Sequence, residues 1–146
     1  MKLFTIGHTK KNLEGFVCLL REAGVDAIID IRLNNSSQLA GYAKKDDLSF
    51  LLENCFNIRY RCSPELAPTK ELLAQYRVDK NWEAYESGFA RIMQERDGAS
   101  AAADALSGFE RPCLLCSEHE PDQCHRRLVA ELFAHLTAGV EVIHLK

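Results

Sequence analysis

The side chains best able to do chemistry cluster in one short segment, LLCSEHEPDQCHRRLV, which runs from Leu114 to Val129. Thiols, imidazoles, a carboxylate and a guanidinium occur together there, on Cys116, Glu118, His119, Cys124, His125 and Arg126. Cysteine thiolates and histidine rings bind zinc or iron, thiolates attack electrophiles, and arginine binds phosphate or carboxylate groups. The segment therefore allows a metal site, a thiol nucleophile or an anion site.

The order of apolar and polar residues places this segment on a strand, a turn and a helix. RPCLLC is typical of a buried strand, and the residues after Gln123 repeat apolar side chains at helical spacing. On a strand, residues three apart point to opposite faces, so Cys113 and Cys116 do not make a chelating pair. Asp122 is predicted to cap the helix, whose free N–H groups favour an anion nearby.

Elsewhere in the chain, apolar strands alternate with helical patterns. KLFTIG, VDAIIDIR, NIRYRC and VEVIHL complete the predicted strands, with amphipathic or Ala-rich helices between them. Such alternation is typical of a parallel sheet covered by helices. We therefore predict a single three-layer α/β domain over residues 1–146, with a five-stranded, mainly parallel sheet. The helical segments between Thr69 and Gly108 are predicted to form an insertion between the third and fourth strands.

The bulk composition excludes several classes of protein. The chain has 146 residues, 47% of them hydrophobic, which suffices for one core without metal or disulfide support. A net charge of −3 disfavours a strongly basic nucleic-acid binder. No apolar run is long enough to span a membrane, and the first residues lack the apolar core of a signal peptide. We therefore predict a cytoplasmic protein with no membrane partner, in which the six cysteines need not pair.

Polar side chains gather around the carboxyl ends of the predicted strands. They are His8 after the first strand, Asp30, Arg32 and Ser37 around the end of the second, Tyr60 and Glu65 around the end of the third, and Cys116, Glu118, Cys124, His125 and Arg126 at and after the end of the fourth. In open parallel sheets this edge is where ligands bind. The pattern therefore indicates a functional site at this edge.

The ordered motifs TIGHT, DIR, SPEL, LLCSE and CHRR resemble the family catalogued as domain of unknown function 488. The resemblance spans nearly the whole chain. It implies a small α/β fold with a polar cluster at the carboxyl ends of the strands, and it implies no particular reaction. Ala67 and Pro68 stand where the family usually has two glycines, so the chain departs from the family where a close backbone approach would need glycine.

We predict that the polar edge is an anion-binding cleft. Arg32 and Arg126, with His125, are expected to bind the anion near the start of the last long helix, where free N–H groups add to the attraction. The contrary hypothesis is internal pairing, in which Asp30 or Glu118 neutralises the two arginines. Further candidates for ligand contact are Ser37, Tyr60, Glu65 and Cys116.

The same edge carries groups for catalysis. Glu118 or Asp30 is a candidate general acid/base with His8 as its partner, and Cys124 is a candidate nucleophile near a helix N-terminus. We therefore expect an enzyme, a hydrolase or transferase, acting on a phosphate-bearing or other anionic substrate related to nucleotides or nucleic acids. The Cys-x5-Arg loop of thiol phosphatases is absent, because Asp122 and Ala130 stand six residues beyond Cys116 and Cys124, where that loop has its arginine.

Two other functions would use these residues. A non-catalytic module would bind a nucleotide or a modified base and would need no acid/base pair. A metal-binding protein would hold zinc or iron on Cys116, Cys124 and His125, with His8 as an additional ligand. No cofactor is predicted for the enzyme or for the binding module. In both of these, Cys116 and Cys124 are packing residues, unless Cys124 is the nucleophile of the enzyme.

Overall fold

The computed structural model describes residues 1–146 as one α/β fold. The strands are β1 (Lys2–Gly7), β2 (Ala27–Asp30), β3 (Arg59–Cys62), β4 (Pro112–Cys116) and β5 (Glu141–His144). The helices are α1 (Leu13–Glu22), α2 (Lys45–Cys55), α3 (Lys70–Asp79), α4 (Trp82–Glu95), α5 (Gly98–Leu106) and α6 (His125–Leu136). Two short 3-10 segments cover Gln38–Ala43 and Pro64–Leu66. None of the helices combines the length and the apolar character that crossing a bilayer requires.

The sheet has the strand order β3-β2-β4-β1-β5, and every neighbouring pair is parallel. The predicted α/β class and five-stranded parallel sheet are therefore confirmed. Helices α3 to α5 stand between β3 and β4, where the helical insertion was expected.

Two apolar clusters pack on opposite faces of the sheet. Leu3 and Ile29 point to the face covered by α4, α5 and α6, and Phe4 and Ile28 point to the face covered by α1 and α2. Neighbouring residues of a strand face opposite sides, so strands that are buried on both faces read as continuous apolar runs. The helix α3 contributes no fully buried residue, whereas each of the other helices does.

The strands β2 and β4 lie side by side, and the chain leaves them towards opposite edges of the sheet. After β2 it runs through α2 to the edge strand β3, and after β4 it runs through α6, on the other face, to the edge strand β5. This arrangement is the switch point at which open α/β sheets commonly bind ligands. Backbone hydrogen bonds extend the pairing of β1 with its neighbour β4 past the strand ends, from His8 N to Cys116 O at 3.2 Å and from Thr9 N to Ser117 O at 3.1 Å.

The start of α6 differs from the sequence prediction. Cys124, in extended conformation, is the N-cap residue, and its side chain makes no capping hydrogen bond. Asp122 lies two residues earlier, and it is the backbone carbonyl of Asp122 that accepts a hydrogen bond from Arg127. The prediction of Asp122 as the cap was wrong because the turn continues beyond it, which brings Cys124 to the helix start instead.

Gly7, at the end of β1, lies against the backbone of the loop that follows β4. A Cβ atom at this position would overlap the carbonyl group of Glu118 and would lie 2.7 Å from Arg126 Nη1. Only glycine lets the two backbone segments approach this closely.

We expect the substitution Gly7→Ala to lower the free energy of unfolding by more than about 2 kcal/mol, because a backbone carbonyl cannot move aside as a flexible side chain can. Urea unfolding followed by circular dichroism measures the loss. Gly15→Ala in α1 is the matched control, since its Cβ would meet only the Asn12 side chain at 3.2 Å. That variant should change stability by less than about 1 kcal/mol. Equal effects of the two substitutions would contradict the prediction.

Candidate functional site

A cleft of about 780 Å³ opens beside the carboxyl ends of β2 and β4. Its walls come from the residues after β2, from α3, from Tyr85 of α4, and from the loop between β4 and α6. Its lining includes most of the chemistry-bearing groups of this edge: Arg32, Arg77, Lys80, Cys116, Glu118, Cys124 and His125. A cleft of this size can hold a small molecule such as a nucleotide.

Asp30 and Arg32 form a buried pair at the end of β2. Arg32 Nε donates to Asp30 Oδ1 at 2.9 Å, and Arg32 Nη2 donates to Asp30 Oδ2 at 2.8 Å. The backbone N–H of Arg32 also donates to Asp30 Oδ1, and the Tyr60 hydroxyl donates to Oδ2. The Asp30 carboxylate is therefore fully engaged in orienting Arg32, as the internal-pairing hypothesis expected for this arginine. Tyr60 acts on the same carboxylate and does not line the cleft.

One nitrogen of Arg32 remains without a partner. Arg32 Nη1 is buried and makes no hydrogen bond within the protein, although the residue is only 4% exposed. A buried donor left unsatisfied costs about 1–3 kcal/mol. Because Arg32 is part of the cleft wall, an acceptor oxygen of a ligand in the cleft is the group suited to satisfy this donor.

Arg126 lies outside the cleft lining and has a different set of partners. Its Nε donates to Thr5 Oγ1 at 3.1 Å, its Nη2 donates to the carbonyl of His119 at 3.0 Å, and its Nη1 donates to the carbonyl of Glu118. The residue is fully buried. These contacts fasten the loop after β4 to β1, and they occupy the guanidinium that the sequence analysis assigned to an anion. The two arginines therefore do not meet around one ligand.

Two thiols and an imidazole meet at the floor of the cleft. Cys124 Sγ lies 3.0 Å from Cys116 Sγ, and His125 Nδ1 lies 3.5 Å from Cys116 Sγ. The other ring nitrogen of the histidine, Nε2, donates to the carbonyl of Ile31 at 2.7 Å. All three side chains belong to buried residues. The carbonyl of Ile31 therefore makes Nε2 the protonated nitrogen of the neutral ring, and Cys116 Sγ lies beside the ring face, 3.5 Å from Nδ1 and 4.0 Å from Nε2.

The three groups influence each other's protonation. The hydrogen bond from Cys124 holds the pKa of Cys116 well below its usual range against the opposing effect of burial, and His125 lowers it further. The same hydrogen bond and burial raise the pKa of Cys124. Burial disfavours a charge on His125, but the neighbouring Cys116 raises the pKa of the ring above its usual value. The cluster therefore favours negative charge on the Cys116 sulfur.

His8 and Glu118, the other two acid/base candidates, lie in different surroundings. His8 is half-buried and outside the cleft lining, and its carbonyl accepts a hydrogen bond from Tyr42 at 3.0 Å. Burial, and then the positive charge of Arg32, lower the pKa of His8. The exposed side chain of Glu118 lines the cleft, so of the two candidate carboxylates, Glu118 and Asp30, Glu118 is the one that a ligand in the cleft can reach.

The remaining candidates have local contacts. Ser37 is the N-cap of the first 3-10 segment and accepts from Leu39 N at 3.2 Å. Glu65 accepts a hydrogen bond from Ser63 at 3.3 Å. Neither residue lines the cleft.

Four further residues shape the site and were not predicted from the sequence. Thr5 holds Arg126, and its hydroxyl also bonds to His144 Nδ1 at 2.6 Å. Tyr42 holds the backbone after β1, and Arg77 and Lys80 of α3 add positive charge to the cleft wall. The only sequence signal for Thr5 was a polar residue inside an apolar strand, and α3 offered no signal of its position.

Comparison with known proteins gives one match. The model of the family described as Domain of unknown function DUF488 matches residues 12–133, which is most of the chain. The protein therefore belongs to this family, as the resemblance of its motifs implied. No curated protein and no solved structure matches the chain.

We expect Arg126→Met to lower the free energy of unfolding by about 3 kcal/mol, because methionine fills the space but leaves the buried Thr5 hydroxyl and two partly buried carbonyls without their donor. Chemical unfolding measures the loss. Arg127→Met is the control, since Arg127 is partly exposed and its hydrogen bond to Glu131 lies at the surface. The control should lose less than about 1 kcal/mol. A stable Arg126→Met protein would show that the loop does not depend on this side chain.

Proposed function

We propose that this DUF488 protein is an enzyme acting on a substrate with a phosphate or other anionic group, which binds in the cleft against Arg32. The observation that carries the proposal is the buried Arg32 Nη1, a cationic donor without a partner in a cleft wall. Asp30 holds the other two nitrogens of the guanidinium, so the side chain is already oriented before a ligand arrives.

The charges around the cleft support an anionic ligand with a defined orientation. Arg77 and Lys80 lie on the α3 side, whereas Glu118, Glu120 and Asp122 lie on the side of the loop after β4. An anionic group is attracted to the arginine and lysine side and repelled by the acidic side. The aromatic rings of Tyr76 and Tyr85 also line the cleft and offer apolar surface to the rest of a nucleotide-sized substrate.

The catalytic part of the proposal assigns the general acid/base role to Glu118. Its side chain lines the cleft and forms none of the salt bridges in the protein, whereas Asp30 is held by Arg32 and Tyr60. A free carboxylate facing a bound anion is suited to exchange a proton with the substrate or with an attacking water. A hydrolase or transferase reaction fits this pairing of an anion-binding arginine with a carboxylate.

The anion-binding role predicts that inorganic phosphate binds to the wild-type protein and shifts the side-chain nitrogen resonances of Arg32. In Arg32→Lys, which keeps a charge near Asp30 but lacks the guanidinium fork, phosphate affinity should fall by about 10- to 100-fold. Arg59→Lys on the exposed face of β3 is the control and should bind as the wild type does. Nuclear magnetic resonance titration measures both quantities. Unchanged affinity in Arg32→Lys, or unchanged Arg32 resonances in the wild type, would refute the role.

The catalytic role predicts turnover of an activated phosphate ester, tested with p-nitrophenyl phosphate and bis(p-nitrophenyl) phosphate. Glu118→Gln should reduce kcat by about 10²- to 10⁴-fold and leave phosphate affinity within about twofold. Glu131→Gln is the control, because the Glu131 carboxylate pairs with Arg127 at the surface and does not line the cleft. Phosphate binding by a wild-type protein that turns over neither ester would favour the non-catalytic binding module and count against the enzyme.

A further inference from the structure

We infer that Cys116, Cys124 and His125 bind a zinc ion at the floor of the cleft. One ligand atom from each of the three residues lies within 4.8 Å of the others. The inference deepens the proposed function and rests on it only for the metal's role in a reaction, since metal binding itself can be measured without a substrate.

The spacing between histidine and cysteine fits a shared metal. Tetrahedral zinc bonds of the usual lengths place a thiolate sulfur and an imidazole nitrogen about 3.5 Å apart, and His125 Nδ1 lies 3.5 Å from Cys116 Sγ. Two thiolates on one zinc lie about 3.8 Å apart, and the two sulfurs here are separated by 3.0 Å. To bind one zinc ion, the two sulfurs must therefore move apart by less than about 1 Å. Cys124 can supply it, because it is the extended N-cap residue and lies outside the regular helix.

The second ring nitrogen of the histidine already has the partner that a metal ligand needs. Its Nε2 donates to the carbonyl of Ile31 at 2.7 Å, so Nδ1 is the nitrogen left for a metal. Cys116 Sγ lies 3.5 Å from Nδ1 and 4.0 Å from Nε2, beside the ring face, so the ring must turn for Nδ1 to point at a metal bound by this sulfur. Histidine ligands of zinc almost always donate their second ring N–H to a carbonyl or a carboxylate, which fixes the ring and raises its basicity. This hydrogen bond is independent of the distances within the cluster and points to the same function.

A divalent cation would replace the proton that the two cysteines share. Cys124 Sγ donates to Cys116 Sγ, and Cys116, Cys124 and His125 are 5%, 3% and 6% exposed, so a second thiolate forms here only with a positive charge in contact. The nearby arginines do not supply this contact, because Arg32 is paired with Asp30 and Arg126 donates to Thr5 and to carbonyls. A zinc ion neutralises two thiolates and leaves no net charge behind.

The position of the cluster also provides access and an open coordination site. All three residues line the cleft, so a fourth ligand could reach a metal held here from the space in which the substrate is proposed to bind. Three protein ligands with one open position are typical of catalytic rather than structural zinc. Cys113, three residues before Cys116, packs in the core of the opposite face and does not complete the set.

Metal titration of the purified, reduced and demetallated full-length protein tests the inference. We expect one Zn²⁺ per chain, and we expect Co²⁺ to produce a thiolate charge-transfer band and the visible bands of a tetrahedral site. X-ray absorption of the zinc protein should show two sulfur and one imidazole ligand, a result that needs no variant. Substoichiometric binding, or a zinc environment without two sulfurs, would overturn the inference.

Single substitutions assign the ligands. Cys116→Ser, Cys124→Ser and His125→Gln should each weaken zinc binding by more than about 100-fold, and Cys62→Ser, a half-buried cysteine outside the cluster, should bind zinc as the wild type does. Circular dichroism shows which variants are folded, and the absorption spectrum of the wild type remains decisive if a variant is not. Formation of a Cys116–Cys124 disulfide in place of metal binding under reducing conditions would also overturn the inference.

The zinc inference and the proposed anion site can be refuted independently of each other. Arg32→Lys should bind zinc as tightly as the wild type, because Arg32 is not a ligand. Zinc binding with no phosphate response at Arg32 would refute the proposed anion site and leave the metal inference standing. A phosphate response at Arg32 without stoichiometric zinc would refute the metal inference alone.

Discussion

A buried guanidinium that has no carboxylate partner holds the functional end of this protein together. Arg126 donates to the hydroxyl of Thr5 in β1 and to the carbonyls of two successive residues in the loop after β4. A buried charge is tolerated when every donor meets a well-placed acceptor, so the path of the loop follows the three directions of the guanidinium fork. Gly7 completes this arrangement by allowing the loop backbone to contact the end of β1.

The sheet topology explains where the cleft lies. The connections from β2 and β4 diverge to opposite edges and faces of the sheet, which leaves a crevice at the carboxyl ends of these two strands. The cleft lined by Arg32, Cys116 and His125 opens there, and Arg126 fixes the loop that forms one of its walls. The two arginines thus differ in their partners: Arg126 donates to the loop backbone, and Arg32 has one nitrogen without a hydrogen-bond partner in the protein.

The sequence was sufficient for the fold and for the edge that carries the site, because strand periodicity and the parallel arrangement together determine which residues follow the strands. The sequence also predicted that Arg32, Cys116 and His125 lie at one end of the sheet. It could not show the direction of Arg126, since that depends on the path of an irregular loop and on Thr5, which is distant in sequence. It also could not show that α3 folds back over the cleft, because the packing of an inserted helix is set by tertiary contacts.

The α3 wall of the cleft tolerates sequence change better than the floor, because no residue of α3 is fully buried. The floor, with Cys116, Cys124 and His125, is continuous with the core, so most substitutions there disturb packing as well as chemistry. On α3, Arg77 and Lys80 are exposed and can be replaced at little cost in stability. Under the proposed function, relatives that differ mainly in α3 would keep the same groups at the floor of the cleft and differ in the ligand that the α3 wall selects.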